Sequence, residues 1–277
     1  MMKLYCLLFL ALIGNPDGKR MWLFEFVRTV GRAEMADLGG KVDPVEIYSV
    51  NHYSLKDAVV KFSDGTTGGL ISNDGLVIAK PYTADGDIPG KDCIRELPIP
   101  GMTVTFMVEM EDVSKVVERA EKRGADSMKK AIVDLTEDAE ARQWKSKAVV
   151  QDFGDGRYFL ISYRTYMDIR LVVDTQSAHP GFSLFRVYAD KHNAPAEFSE
   201  ENRPFRLVKK VGISSTSIQD GEFHMIIGYP DQKMMPVLSL GTAADSTSGL
   251  VLDKEGKLAG LSYGDTIHIL TQTDILK

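Results

Sequence analysis

Apolar positions along this chain recur more often with a period of two than with a helical period. Ala58, Val60 and Phe62 alternate with polar or smaller neighbours. Val104, Phe106, Val108 and Met110 do so against Thr103, Thr105, Met107 and Glu109, which predicts another strand. Leu70-Ile71 and Leu76-Val77-Ile78 flank Asn73-Asp74-Gly75, a hairpin signature. Leu250-Val251-Leu252 and Leu258 to Leu261 flank Asp253 to Gly256 in the same way. Further strands are predicted over 157–166, 168–173, 182–188, 222–229 and 236–240, with Phe223, Met225, Ile227 and Tyr229 on one face. Helical spacing is confined to two places. Trp22, Leu23, Phe26, Val27 and Val30 predict a helix over Met21–Leu38, stopped by Gly39-Gly40. The charged stretch from Val113 to Gln143 predicts two helices divided at Gly124, with Glu118/Lys122 and Asp138/Arg142 four apart. Its charges read as a solvated face. The chain is therefore mostly β with a few helices, a barrel or sandwich by its many short strands and turns. The polar link near 190–206, with Pro195 and Pro204, divides it into two such units.

With 277 residues, 44% hydrophobic, the chain is long enough to bury a core without metals or disulfides. A net charge of −6 with no basic run argues against nucleic-acid binding. Residues 1–18 read as a secretory leader: a lysine at position 3, the apolar run Leu4–Ile13, then Gly14 to Gly18. The run is too short for a stable membrane span. No Ala-x-Ala precedes the polar stretch, and a buried N-terminal strand or helix is the alternative. Loss of the leader would remove Cys6 and leave Cys93 a lone thiol. The histidines at 52, 179, 192, 224 and 268 show no ligand spacing, and no glycine-rich phosphate loop follows a strand. Neither a metal nor a nucleotide cofactor is expected.

Longer stretches carry a resemblance. Met21-Trp22-Leu23, Ile47 to Asn51, Ser54 to Val60, Gly68 to Val77, Glu96 to Phe106 and Glu111-Asp112-Val113 resemble the bacterial dipeptidyl-peptidases seven and eleven. So do Tyr163 to Val172, Phe182 to Asp190, Asn193 to Asn202, Gly221 to Pro230 and Val251 to Leu261. The resemblance covers most of the chain outside 1–18 and 114–150. It implies secreted serine exopeptidases that remove dipeptides from free N-termini, with a chymotrypsin-like double β-barrel. The expected units are an N-terminal helix plus first barrel over 19–190, with a helical excursion at about 113–143, and a second, reduced barrel over 205–277.

Descent does not carry the site with it, so each position is read separately. The family's general-base histidine falls on Tyr82, and a phenol is far too weak a base for that work at neutral pH. Both disulfide positions are threonines, Thr66 and Thr83. The catalytic aspartate falls on Gly181, in Ala178-His179-Pro180-Gly181-Phe182-Ser183. The nucleophile falls on Thr247 in an ungapped count. A one-residue shift makes Ser248 the fallback nucleophile. Asp245 falls on a glycine that serves the oxyanion, where a carboxylate opposes the developing charge. The Asp that contacts the substrate amine falls on Gly264, with Asp265 next to it. The segment that grips the substrate's amino terminus is shortened to Asp174–Ala178. The helical domain that follows Gly-Tyr-Pro in the family is missing after Gly228-Tyr229-Pro230.

Three readings stand at this stage. The first is a secreted pseudo-peptidase, exported to the periplasm or outside the cell, that binds peptide or protein along the former cleft. Loss of the nucleophile or the base alone lowers turnover by about 10⁶-fold in a serine protease. The second is a residual serine hydrolase using Ser248 or Thr247 with an imported base such as His179 or His268. The third is a decayed paralogue without a selected role.

Overall fold

The computed structural model describes residues 12–14, 20–23, 32–49, 51–82, 96–174, 181–207, 209–229, 234, 237–241, 248–264 and 266–275. The chain is mostly β, arranged in two antiparallel sheets. The first half builds strands β3 (Val59–Phe62), β4 (Thr67–Leu70), β5 (Leu76–Ala79), β6 (Leu97–Pro98) and β7 (Val104–Asp112). Strands β8 (Lys147–Asp152), β9 (Tyr158–Tyr166), β10 (Asp168–Asp174), β11 (Ser183–Ala189) and β12 (Arg203–Pro204) complete that ten-stranded sheet. Its order is β6-β10-β11-β5-β4-β3-β7-β9-β8, with β12 beside β11. The second sheet runs β1-β2-β14-β13-β15-β16-β17. Its members are β1 (Leu12–Gly14), β2 (Arg20–Leu23), β13 (His224–Gly228), β14 (Val237–Gly241), β15 (Gly249–Leu252), β16 (Leu258–Tyr263) and β17 (Thr266–Ile269).

Both hairpins read from the sequence form: β4 pairs with β5 and β15 with β16. The divided helix also forms, as α3 (Ser114–Glu121) and α4 (Ala125–Arg142), after the short α1 (Arg32–Asp37) and α2 (Pro44–Ile47). Gly124 separates α3 from α4 at φ 112°, a backbone conformation that glycine adopts without steric cost. The pair covers one face of β8 and β9 through a small separate core of Val113, Val117, Ala139 and Leu160.

The helix expected over Met21–Leu38 is corrected. Among the described residues of that span only Arg32–Asp37 is helical, followed by Gly39 at φ 95°, as the glycine pair predicts. Arg20–Leu23 is strand β2, paired on one side with Leu12–Gly14 and on the other with Val237–Ser239. Aromatic and β-branched residues fit either element, and the open edge of β14 offers backbone partners that a lone helix lacks. The N-terminal segment therefore crosses to the second sheet, and Leu12 and Ile13, the end of the apolar run, lie in a strand. Strands β8 and β17 carry no clean alternation and are additions to the sequence reading. Both are terminal members of their sheets.

One apolar core joins the two sheets, from Val60, Ile78 and Phe185 to Met225, Leu250 and Leu261. The sheets pack closely at Gly69: a Cβ there would come 2.7 Å from Leu250 Cδ1. The connector after β12 stitches the sheets together. Val211 N–H donates to the Leu70 carbonyl, and Leu258 N–H donates to the Gly212 carbonyl. Tyr229 N–H reaches across to Thr67 Oγ1 at 2.9 Å.

Candidate functional site

Between the sheets lies a cleft of about 190 Å³. The β3–β4 turn and the end of β5 contribute Asp64, Thr66, Thr67 and Lys80. The second sheet contributes Tyr229, Ser248, Ser262 and Tyr263. All eight of these side chains carry a hydroxyl or a charge, so this part of the cleft is suited to polar contact.

Ser248 is exposed at the start of β15. Its backbone is fixed by contact between two glycines. A Cβ at Gly228 would lie 2.0 Å from the Ser248 carbonyl oxygen, and one at Gly249 would lie 2.2 Å from the Ile227 oxygen. No L side chain fits either position, so β13 and β15 approach here at bare-backbone distance. Among the described residues no hydrogen bond joins Ser248 to an imidazole.

Tyr82 follows β5, half-buried, with its ring edge-on to Phe185 at 5.9 Å between centroids. Its N–H donates to Ser183 Oγ at 2.9 Å. The buried Gly181 precedes β11, and its carbonyl accepts from Tyr263 Oη at 2.9 Å. The two residues at which the resemblance implies a base and an acid thus lie beside the neighbouring ends of the paired strands β5 and β11. One is packed by an aromatic ring and the other is tied to the second sheet. Burial raises the Tyr263 phenol above its ordinary pKa and keeps it a hydrogen-bond donor. His268 on β17 stacks face to face on Tyr263, with centroids 3.8 Å apart and planes 9° apart. The structure therefore places this imidazole against a phenol ring.

Thr66 donates through both its N–H and its Oγ1 to the two carboxylate oxygens of Asp64, at 2.8 Å each. Thr66, where the resemblance implies a disulfide position, is part of a side-chain-capped turn. Thr247, the ungapped nucleophile position, lies outside the described residues, as do His179, Asp245, Asp265, Thr83 and Cys93. Lys80, Ser262 and the Tyr263–Gly181 contact were not singled out from the sequence. Gly181 and Tyr263 are 82 residues apart, and no local pattern announces a contact of that range.

Two packed antiparallel sheets with a hydroxyl-lined cleft between them match the architecture expected from the serine-peptidase resemblance. Residues 17–182 and 178–248 match the family described as Peptidase S46, and the chain belongs to that family. It is 32% identical over 257 residues to an Asp/Glu-specific dipeptidyl-peptidase of Capnocytophaga gingivalis, covering 79% of this chain and 36% of the relative. It is 30% identical over 249 residues to dipeptidyl-peptidase 7 of Porphyromonas endodontalis, covering 76% and 30%. Among solved structures, DPP11 of Porphyromonas endodontalis in complex with the dipeptide Arg-Glu superposes with a TM-score of 0.64 at 27% identity, covering 76% of this chain and 36% of that one. The chain thus spans about a third of the length of these relatives. No helix among the described residues is long and apolar enough to cross a membrane.

Proposed function

We propose that this protein is an exported, non-catalytic member of the family that keeps the peptidase architecture as a peptide- or protein-binding module. The observation that carries the reading is the pair Tyr82 and Gly181. At the positions where the resemblance puts a base and its carboxylate, one side chain is a packed phenol and the other is absent. A serine without a base is not activated, and the triad acts as a unit. The Gly181 carbonyl is occupied by the Tyr263 hydroxyl, which ties the sheets together where the aspartate would otherwise orient an imidazole. The leader-like pattern of residues 1–18 supports export, while the pairing of Leu12–Gly14 with β2 fits the alternative of an N-terminal strand. Cleavage after them would remove β1 and leave β2 intact beside β14.

A residual hydrolase is the second reading, favoured by one observation: Ser248 is exposed on the cleft. The test is hydrolysis of a fluorogenic dipeptide library by the purified protein, with Ser248→Ala and Thr247→Ala in parallel. The module reading expects no turnover in any sample. Turnover abolished by Ser248→Ala would overturn it and establish a site rebuilt around a shifted serine.

A further inference from the structure

The cleft wall carries a cation, Lys80. Lys80 lies at the end of β5 on the cleft wall, exposed, and among the described residues it has no carboxylate within ion-pair distance. The acid among the lining residues, Asp64, has both oxygens engaged by Thr66. Across the cleft, Ser262 is 4% exposed, and its hydroxyl is buried with no hydrogen-bond partner among the described residues. A buried hydroxyl without a partner is costly and rare in native proteins, and a ligand group is one way of satisfying it. Ser248 adds an exposed hydroxyl on the same wall.

We propose that this cleft is a carboxylate-binding site, with the Lys80 ammonium as its cation and the Ser248 and Ser262 hydroxyls as neutral donors. The proposal deepens the binding-module reading and rests on it. An ammonium is a compact point charge with three donors, and it suits an oxyanion that also takes hydroxyl hydrogen bonds. A volume of about 190 Å³ is below the range of drug-sized pockets, so it fits the end of one residue and not a whole cofactor. The same lysine is not an activating base for Ser248, because activation of that kind requires a desolvated amine and Lys80 faces water. A carboxylate has two peptide sources, the chain terminus and an acidic side chain, and the chemistry of the site is shared by both.

The experiment is calorimetric titration of the full chain with three N-acetylated peptides. They are acetyl-trialanine with a free carboxylate, its C-terminal amide, and an acetylated tripeptide amide carrying one glutamate. N-acetylation removes the free amine that a dipeptidyl-peptidase needs, so binding is read independently of hydrolysis. At least one carboxylate peptide is expected to bind at least tenfold more tightly than the trialanine amide. Lys80→Gln should remove that preference, and Ser262→Ala should weaken it by a smaller factor. Preference for the free acid assigns the chain terminus, and preference for the glutamate amide assigns the side chain. Equal binding of all three peptides, or an unchanged preference in Lys80→Gln, would overturn the proposal. Turnover in the fluorogenic assay would instead sink the non-catalytic reading and leave the carboxylate titration as it stands.

Discussion

The Tyr263 hydroxyl donates to the Gly181 carbonyl across 2.9 Å, joining the second sheet to the residue just before β11 of the first. Tyr263→Phe keeps the ring and its stack on His268 but removes this bond. A net loss of about 1 kcal/mol is expected, the usual worth of one intramolecular hydrogen bond. Urea denaturation checks it: a midpoint shift with unchanged slope is the expected result, and no shift would show that the bond contributes nothing.

Gly228 and Gly249 bring β13 and β15 together at backbone distance, next to Ser248. Gly228→Ala puts a methyl group 2.0 Å from the Ser248 carbonyl oxygen. That obstacle is backbone and cannot rotate away. The strand pair must separate, and a loss above about 3 kcal/mol is expected from overpacking of this kind. Gly69→Ala meets only the tip of Leu250 and should cost less. Thermal denaturation of the two variants side by side gives the ranking, and a reversed order would refute it.

Asp168 is 1% exposed and holds a two-point contact with Arg170, at 2.9 Å for each bond. Asn202 Nδ2 donates to the same carboxylate, and Arg170 also donates to the Ser199 carbonyl. This network ties the polar link after β11 to β10. Arg170→Ala leaves a buried carboxylate without its cation and should cost about 3–5 kcal/mol. Replacement of both Asp168 and Arg170 by apolar residues should recover part of that loss. If the double variant is the less stable, the pair contributes more than mutual neutralisation.

Alkaline stability should follow Tyr166, whose phenol burial pushes up to about 12. Its folded pKa is raised above the ordinary value of 10, so its contribution is complete below pH 10 and is lost as pH climbs towards 12. Each pH unit inside that window removes up to about 1.4 kcal/mol for this one group. The buried Tyr229 phenol, also raised by burial, steepens the fall. Chemical denaturation at pH 8, 10 and 11 should show a plateau and then a decline. In Tyr166→Phe the decline should be shallower, and an unchanged slope would assign it elsewhere.

The hairpins at Asn73–Gly75 and Asp253–Gly256 were legible because turn chemistry and two-residue alternation are local properties. The break at Gly124 was legible for the same reason. The places of Tyr82 and Gly181 at the base and acid positions are implied by resemblance alone, since composition and spacing do not mark either residue. Strand β8, with polar and half-buried residues along its length, was not legible. As a terminal strand it obeys only one neighbour, and its pattern is correspondingly weak.

The sequence by itself determined that the chain is mostly β and that it resembles a peptidase family, a resemblance that implies Tyr82 and Gly181 at the base and acid positions. Those are statements about side-chain chemistry and short-range pattern, which are present before folding. Only the tertiary structure decided that Arg20–Leu23 is a strand, because its partner at Val237–Ser239 lies more than 200 residues away and supplies backbone hydrogen bonds that no local propensity encodes. It also decided that Lys80, Ser248 and Ser262 share one cleft. That neighbourhood exists only once two sheets, closely packed at Gly69 and Leu250, bring distant strands together around a common core.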